Sequence, residues 1–280
     1  MGLRINTNVP ALIAQRNIKH TRSDLDQTLE RLSSGSRINH AGDDAAGLAI
    51  SEGIRAQLRG LGQAERNAQD GISVVQVAEG ALAEVSNILI RMRELGVQAA
   101  SDTVGTNERK FLDLEYQQLM EEIDRITLST KFNGVPLLTG TSNAFEVQIG
   151  TGNNPATDRV QLFDPYKSDT SVVSLGLNLT NIGDKQSSQN SLGGIDTAIN
   201  KVVSVRAEFG AMQNRLQSII NNMQVARENL ASANSRVRDA DIAEETSNLT
   251  KGQILMQSGV AVLGQANTTM KSALQLLSNM

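Results

Sequence analysis

Apolar residues recur at helical spacing near both ends of the chain. Within residues 1–34, Leu25, Leu29 and Leu32 are four and three positions apart, which predicts an N-terminal helix. Near the other end, six apolar residues stand seven positions apart: Ile242, Leu249, Met256, Leu263, Met270 and Leu277. The alternate position of this repeat is held by Thr246, Gln253, Val260, Asn267 and Leu274. This pattern predicts a coiled-coil seam, half of it polar.

Between the ends, the spacing predicts a long helix from Ala45 to about Ala100. Its apolar stripe comprises Ile72, Val75, Ala78, Leu82, Val85, Leu89 and Met92. A helix of that span would be roughly 80 Å long at 1.5 Å per residue. A break from Gly35 to Asp44 precedes it, and Asp43 or Asp44 is expected as its N-cap.

The middle of the chain is different in character. After a second helix at about 107–129, Asn133–Gly134 predicts a turn. Phe145, Val147 and Ile149 then alternate with polar residues, as do Val160 and Leu162, which predicts a β-hairpin. Residues 164–192 are polar and predict a loop, and helical spacing returns from Ile195 to Val237.

These elements predict a mainly α fold: a long-helix hairpin with a terminal coiled-coil domain and a helical core domain that carries a small β-hairpin region. All aromatic residues, five Phe and two Tyr, lie between Phe111 and Phe209. The helical regions at the two ends of the chain, called the arms below, must therefore pack through aliphatic side chains. Ordinary helix packing within a globular bundle would produce a similar heptad pattern. The polar half of the C-terminal seam favours burial that depends on a partner.

The composition of the chain serves mainly to exclude classes of site and function. The 280 residues include no cysteine, which excludes disulfides and thiolate sites, and the net charge of −4 gives no reason to expect nucleic-acid binding. The sequence contains no run of 18 apolar residues that would predict a membrane-spanning helix, and the N-terminus lacks a signal-peptide pattern. The two histidines, His20 and His40, provide too few ligands for a zinc site. The paired carboxylates Asp43–Asp44 and Glu244–Glu245 are interpreted as caps and surface charge. We therefore predict no metal, no cofactor and no enzymatic activity.

Several segments resemble the bacterial flagellins. They are LRINTNVPALIAQRN at the start, LERLSSGSRINHAGDDAAGLAIS (Leu29–Ser51), Arg66–Ser101, Glu122–Leu138 and Ser235–Asn267. Together they cover over half of the chain in the family's order. The resemblance implies a structural subunit that self-polymerises into the flagellar filament for swimming motility, in a short form without inserted outer domains. A hook–filament junction protein of the same axial family is the alternative, and the match over Arg66–Ser101 argues against it.

The resemblance also implies a domain division and a set of partners. Residues 1–43 with 241–280 would form an inner coiled-coil domain lining the filament channel, and 44–240 an outer helical core domain with its β region at about 131–180. The subunit would be exported unfolded through the flagellar type III pathway, without a cleaved signal peptide, to an extracellular filament. Its partners would be its own copies, an export chaperone, and the filament cap and hook–filament junction proteins.

Three sets of residues follow from these expectations. The polymerisation seam would comprise Leu25, Leu29, Leu32, Ile242, Leu249, Met256, Val260, Leu263, Met270, Leu274 and Leu277. The chaperone anchors would be Leu249, Ile254, Val260, Leu263, Leu274 and Leu277. By resemblance to flagellins that a vertebrate Toll-like receptor detects as monomers, Arg91, Leu95 and Glu115 would form a receptor and subunit-contact face. Arg91 and Leu95 are four apart, and we predict that they lie beside the apolar stripe, not within it.

Overall fold

The computed structural model describes residues 7–140, 145–164 and 166–278. The helices are α1 (Val9–Ser34), α2 (Ala45–Ala99), α3 (Thr106–Ser129), α4 (Pro155–Asp158), α5 (Lys185–Arg238) and α6 (Ile242–Ser278). The strands are β1 (Lys131–Phe132), β2 (Val135–Pro136), β3 (Glu146–Gln148) and β4 (Arg159–Gln161). The fold is mainly α with a small β region, as predicted, and this region consists of two antiparallel strand pairs. The described residues up to Ala56 form one compact unit with those from Asn229 on, and Gln57–Glu228 form another.

In the first unit, α1 and α6 pack against each other. α1 begins where the side chain of Asn8 accepts a hydrogen bond from the backbone N–H of Ala11 (3.1 Å). It ends at Gly35, whose φ of 68° is a left-handed conformation that favours glycine. α6 begins after Asp241, whose carboxylate accepts from the N–H of Ala243 (2.8 Å). Each end therefore has a local signal in the sequence.

The two segments that lead into α2 and α6 also pair with each other. The backbone N–H of Arg37 donates to the carbonyl of Arg238 (2.6 Å), and that of Ala240 donates to the carbonyl of Gly35 (3.0 Å). These bonds form a short antiparallel bridge at the base of the α1–α6 pair. Beyond it, the carboxylate of Asp44 accepts from the N–H of Gly47 (2.8 Å), which confirms the predicted cap of α2.

The second unit has a continuous apolar core. The predicted stripe of α2 is buried throughout, and Leu82, Leu89 and Met92 are fully inaccessible. Tyr116 of α3 and Phe209 of α5 are buried against this stripe in the same cluster. The core therefore combines aliphatic side chains of the long helices with aromatic rings, and buried residues of the β region such as Val147, Val160 and Phe163 complete it.

Both predicted turns of the β region are present. Asn133 and Gly134 have φ values of 48° and 81°, the paired left-handed conformation of a two-residue hairpin, and they connect β1 to β2. Val147 of β3 lies opposite Val160 of β4, which confirms the predicted hairpin. Its loop includes the short helix α4, which the sequence did not predict.

The predicted loop over 164–192 is too long, because α5 already begins at Lys185. Its first turns bury Ser188 and Ser191, where an apolar stripe would normally mark a helix. The hydroxyl of Ser188 donates to the carbonyl of Asp184 (2.7 Å), and that of Ser191 donates to the carbonyl of Ser188 (2.9 Å). Serine can be buried there because its hydroxyl is satisfied by the backbone.

Candidate assembly surfaces

The α1–α6 pair has a seam that repeats on both helices. Buried or half-buried positions on α1 are Ala11, Ala14, Ile18, Thr21, Leu25, Thr28 and Leu32. The corresponding positions on α6 are Glu245, Leu249, Gly252, Met256, Gly259, Leu263 and Ala266. Both series advance by alternating steps of three and four, which is the spacing of an antiparallel coiled coil.

Two glycines of α6 act as holes for side chains of α1. A β-carbon placed at Gly259 would lie 2.8 Å from the Cγ1 of Ile18, and one at Gly252 would lie 3.3 Å from the Cδ1 of Leu25. A larger residue at Gly259 would force Ile18 to move, whereas one at Gly252 would require only a small adjustment of Leu25. Small residues thus allow close approach of the two backbones, and the area that the seam buries is correspondingly small.

The predicted polymerisation seam agrees only partly with this geometry. Five of its residues lie in the observed seam: Leu25, Leu32, Leu249, Met256 and Leu263. Leu29, Ile242 and Val260 are instead exposed, by 45%, 51% and 57%. The predicted alternate positions on α6 are wrong by one residue, because the repeat runs through the glycines at 252 and 259. The side chains of Met270, Leu274 and Leu277 lie outside the described part of the chain.

A second apolar face on each helix has no partner within the described subunit. On α1 it comprises Val9, Leu12 and Ile13, and on α6 Ile254, Leu255 and Val262, all 46% to 59% exposed. Of the predicted chaperone anchors, Ile254 belongs to this face and the exposed Val260 lies on the other flank of the seam, whereas Leu249 and Leu263 lie in the seam. α6 is therefore apolar on two sides.

Among the seam residues that the sequence analysis missed is a charged one, Glu245. We interpreted it as part of a surface carboxylate pair, but it is only 6% exposed and pairs with Arg31 (Nη1 to Oε1, 3.2 Å). The signal that would have found it is its position four residues before Leu249, in phase with Gly252 and Met256. Its helical spacing, and not its charge, determines its burial.

The predicted receptor face is only partly a surface. Arg91 holds Glu115 through two hydrogen bonds, from Nε (2.9 Å) and Nη2 (2.8 Å), and Glu94 through a third (3.1 Å). These bonds, first that to Glu115, raise the pKa of the Arg91 guanidinium. Leu95, however, is fully buried. Its predicted place beside the stripe is wrong, because it follows Met92 by three positions and continues the stripe into the core.

One helix in the described part of the chain, α2, is long and apolar enough to cross a membrane by composition alone. Its most apolar 18-residue window has a mean hydropathy of 1.3, and 44% of that window is buried inside the structure. A core helix has the same signature, and the stripe of α2 is the centre of the core described above. Burial of α2 in this core explains its high mean hydropathy.

The geometry is that of a long-helix structural protein, and comparisons with known proteins agree. The chain matches the bacterial flagellin N-terminal helical region over residues 5–143 and the C-terminal helical region over 192–277. It is 46% identical to a flagellin of Halalkalibacterium halodurans, over 98% of this chain and 99% of that protein. It is 42% identical to the flagellar filament 33 kDa core protein of Treponema phagedenis, again over 98% and 99%.

Two solved structures are similar to the chain. Bacillus cereus flagellin, at 37% identity, aligns with a TM-score of 0.50 over 56% of this chain and 88% of that chain. A protein of Vibrio parahaemolyticus assigned as flagellar hook-associated aligns with a TM-score of 0.56 over 70% of this chain and 100% of that chain. At 14% identity, the second likeness shows the fold alone.

The chain belongs to the bacterial flagellins. It is a structural subunit that polymerises with its own copies into the extracellular flagellar filament, and it is not an enzyme.

Proposed function

We propose that α1 and α6 form the inner polymerisation domain, residues 1–43 with 241–280, which lines the filament channel, while residues 44–240 form the outer core domain. The supporting observation is the second apolar face of each helix, which the subunit itself leaves half exposed. Fully burying an aliphatic side chain contributes about 1.5–3 kcal/mol, so each of these residues has on the order of 1 kcal/mol still to gain. Contacts with neighbouring copies would provide that burial.

Ile254→Asp tests this role directly. The side chain is 59% exposed and lies outside the seam, so the charge should leave the α1–α6 pair intact while opposing burial against another copy. We expect purified I254D to polymerise only at a concentration at least about tenfold above that of wild type, measured by sedimentation and electron microscopy. Gln257→Asp, at an exposed polar position of the same helix, is the control. Polymerisation of I254D at the wild-type concentration would refute the proposal.

Export is the second part of the proposed function. The chain would leave the cell unfolded through the flagellar type III pathway, without cleavage of a signal peptide, with α6 held in a chaperone groove. The anchors Leu249 and Leu263 are covered by α1 in the folded subunit, whereas Ile254 and Val260 are not. A chaperone that holds all six anchors therefore needs α6 released from α1, so chaperone binding and subunit folding would exclude each other.

A pull-down tests the chaperone assignment. Replacing both Leu263 and Leu274 by Asp should abolish retention of the chain by its chaperone, whereas Gln257→Asp should be retained like wild type. Unchanged retention of the double variant would reject these anchors. The same two arms would contact the filament cap and the hook–filament junction proteins, because those proteins extend the same axial structure.

We also infer that the exposed pair Arg91–Glu115 is a contact face, used between subunits in the filament and by a vertebrate Toll-like receptor that meets the free subunit. Three hydrogen bonds hold the guanidinium in one orientation, which lowers the entropic cost of using it as an anchor. Leu95 has no direct part in this face, since it lies in the core.

A further inference from the structure

A charged pair stands at the base of the seam between α1 and α6. Glu245 is 6% exposed, and Arg31 meets it through a single contact of 3.2 Å. The second carboxylate oxygen of Glu245 and the Nε of Arg31 are also buried, and neither has a hydrogen-bond partner among the described residues. A pair with such incomplete hydrogen bonding contributes little net stability, so its presence in a seam calls for another explanation.

The rest of the seam does not specify a unique alignment of the two helices. Ile18 fills the hole at Gly259, and Leu25 fills the hole at Gly252. Both the side chains and the holes are seven positions apart. Sliding one helix by a heptad, about 10 Å, would put Leu25 against Gly259, or in the other direction Ile18 against Gly252. In either case an aliphatic side chain would still meet a glycine.

The charged pair makes the two shifted alignments less favourable than the native one. A heptad shift in one direction places Glu245 opposite Leu25, and a shift in the other carries it past the end of α1. Either shift leaves Arg31 without its carboxylate, and the first buries a carboxylate against an aliphatic side chain, which is strongly unfavourable. We propose that Arg31 and Glu245 set the register of α1 on α6, as a single polar position does in other coiled coils.

The backbone bridge between Gly35–Arg37 and Arg238–Ala240 is the competing determinant, because it also ties the helices together at their base. Disulfide trapping can distinguish the two, since the chain has no cysteine of its own. The Cβ of Leu25 lies 3.7 Å from the site of a β-carbon at Gly252, within the range of a disulfide. Leu25→Cys with Gly252→Cys therefore reports the native register. Leu25→Cys with Gly259→Cys, and Ile18→Cys with Gly252→Cys, report the two shifted registers.

Each cysteine pair is introduced into three full-length backgrounds: wild type, Arg31→Leu with Glu245→Leu, and the exchanged pair Arg31→Glu with Glu245→Arg. Sedimented polymer is oxidised, because α1 and α6 are expected to be folded there, and mass spectrometry counts only bonds within one chain. We expect the native bond alone in the wild-type and exchanged backgrounds. In the double-leucine background the shifted bonds should rise about tenfold or more, with helicity retained.

Three results would overturn the proposal. If the double-leucine chain forms only the native bond, the backbone bridge sets the register. If it forms neither native nor shifted bonds and loses helicity, the charged pair holds the helices together without selecting their alignment. If the native bond fails to form in the wild-type background, the seam itself differs from the one described.

Discussion

The core of the second unit and the α1–α6 pair are both helical, but they are stabilised very differently. In the core, large side chains such as Leu82, Leu89 and Phe209 are at most 1% exposed. In the described parts of α1 and α6, the buried residues are Ala14, Thr28 and Glu245, each 6% to 8% exposed and none of them a large apolar side chain. The rest of that seam is half exposed.

This difference indicates which region can fold alone. Ordering a residue costs about 1–2 kcal/mol of backbone entropy, which must be offset by burial. The core supplies that burial from its own helices. The α1–α6 pair meets through glycine, alanine and threonine as well as a few partly buried aliphatic side chains, and it carries further aliphatic side chains on faces that the described subunit leaves exposed. We therefore expect a subunit whose core is stable alone and whose helices α1 and α6 fold stably only against neighbouring copies.

The largest expected effect on stability comes from the core. Leu89→Ala should lower the free energy of unfolding by about 2–5 kcal/mol, because it leaves a cavity at a fully buried position. The neighbouring Ile90, which is 48% exposed on the same helix, provides the matched control. Ile90→Ala should cost less than about 1 kcal/mol. Urea unfolding followed by circular dichroism measures both, and equal losses would contradict the described burial.

A protease should cleave the terminal helices α1 and α6 before it cleaves the core of the second unit. We predict that limited proteolysis trims the dilute subunit to roughly residues 45–240, because neither arm buries enough apolar surface to remain folded alone. The filament should resist the same protease. A chain lacking 241–280 should be soluble and unable to polymerise. Equal protection of the arms in the dilute and polymerised states would show that α1 and α6 are already stable as a pair.

Local sequence signals were sufficient for most of the fold. Asp44 marked the start of α2, Asn133–Gly134 marked a hairpin turn, and the alternation around Val147 and Val160 marked paired strands. Each of these depends on residues within a few positions of one another. The stripe of α2 was equally clear, because its apolar residues are large and regularly spaced.

What the sequence left hidden depends on contacts between distant residues. Gly252 and Gly259 have no side chain to mark them as seam positions, and only the presence of α1 shows that they are holes for side chains. The pairing of Glu245 with Arg31 joins residues more than two hundred positions apart. Leu95 was assigned to a surface by likeness to a motif, although its spacing from Met92 already placed it in the core. Such errors arise when residue type is weighed above helical phase.

The glycines of α2 provide a smaller test of the same contrast between packed and open surfaces. A β-carbon at Gly71 would lie 3.3 Å from Val147, whereas nothing lies within 4 Å of one at Gly80. Gly80→Ala should therefore stabilise the chain by about 0.5–1 kcal/mol, since alanine is the better helix former. Gly71→Ala should gain less or destabilise, because Val147 must move. Thermal unfolding measures both, and identical shifts would mean that the β3–β4 hairpin yields freely.

The smallest effect on folding, with the most specific effect on function, is expected at Arg91. Its side chain is half exposed, so Arg91→Ala should leave urea unfolding nearly unchanged. Arg125→Ala is the control, because it removes an ion pair with Glu122 that is similarly exposed. Because arginine often dominates an interface, we expect R91A alone to weaken receptor activation by dilute subunit about tenfold or more and to impair polymerisation. Leu95→Ala cannot serve here, since it would act through the core. A receptor assay without response to the wild-type subunit would remove the receptor role, and normal polymerisation of R91A would remove the subunit contact.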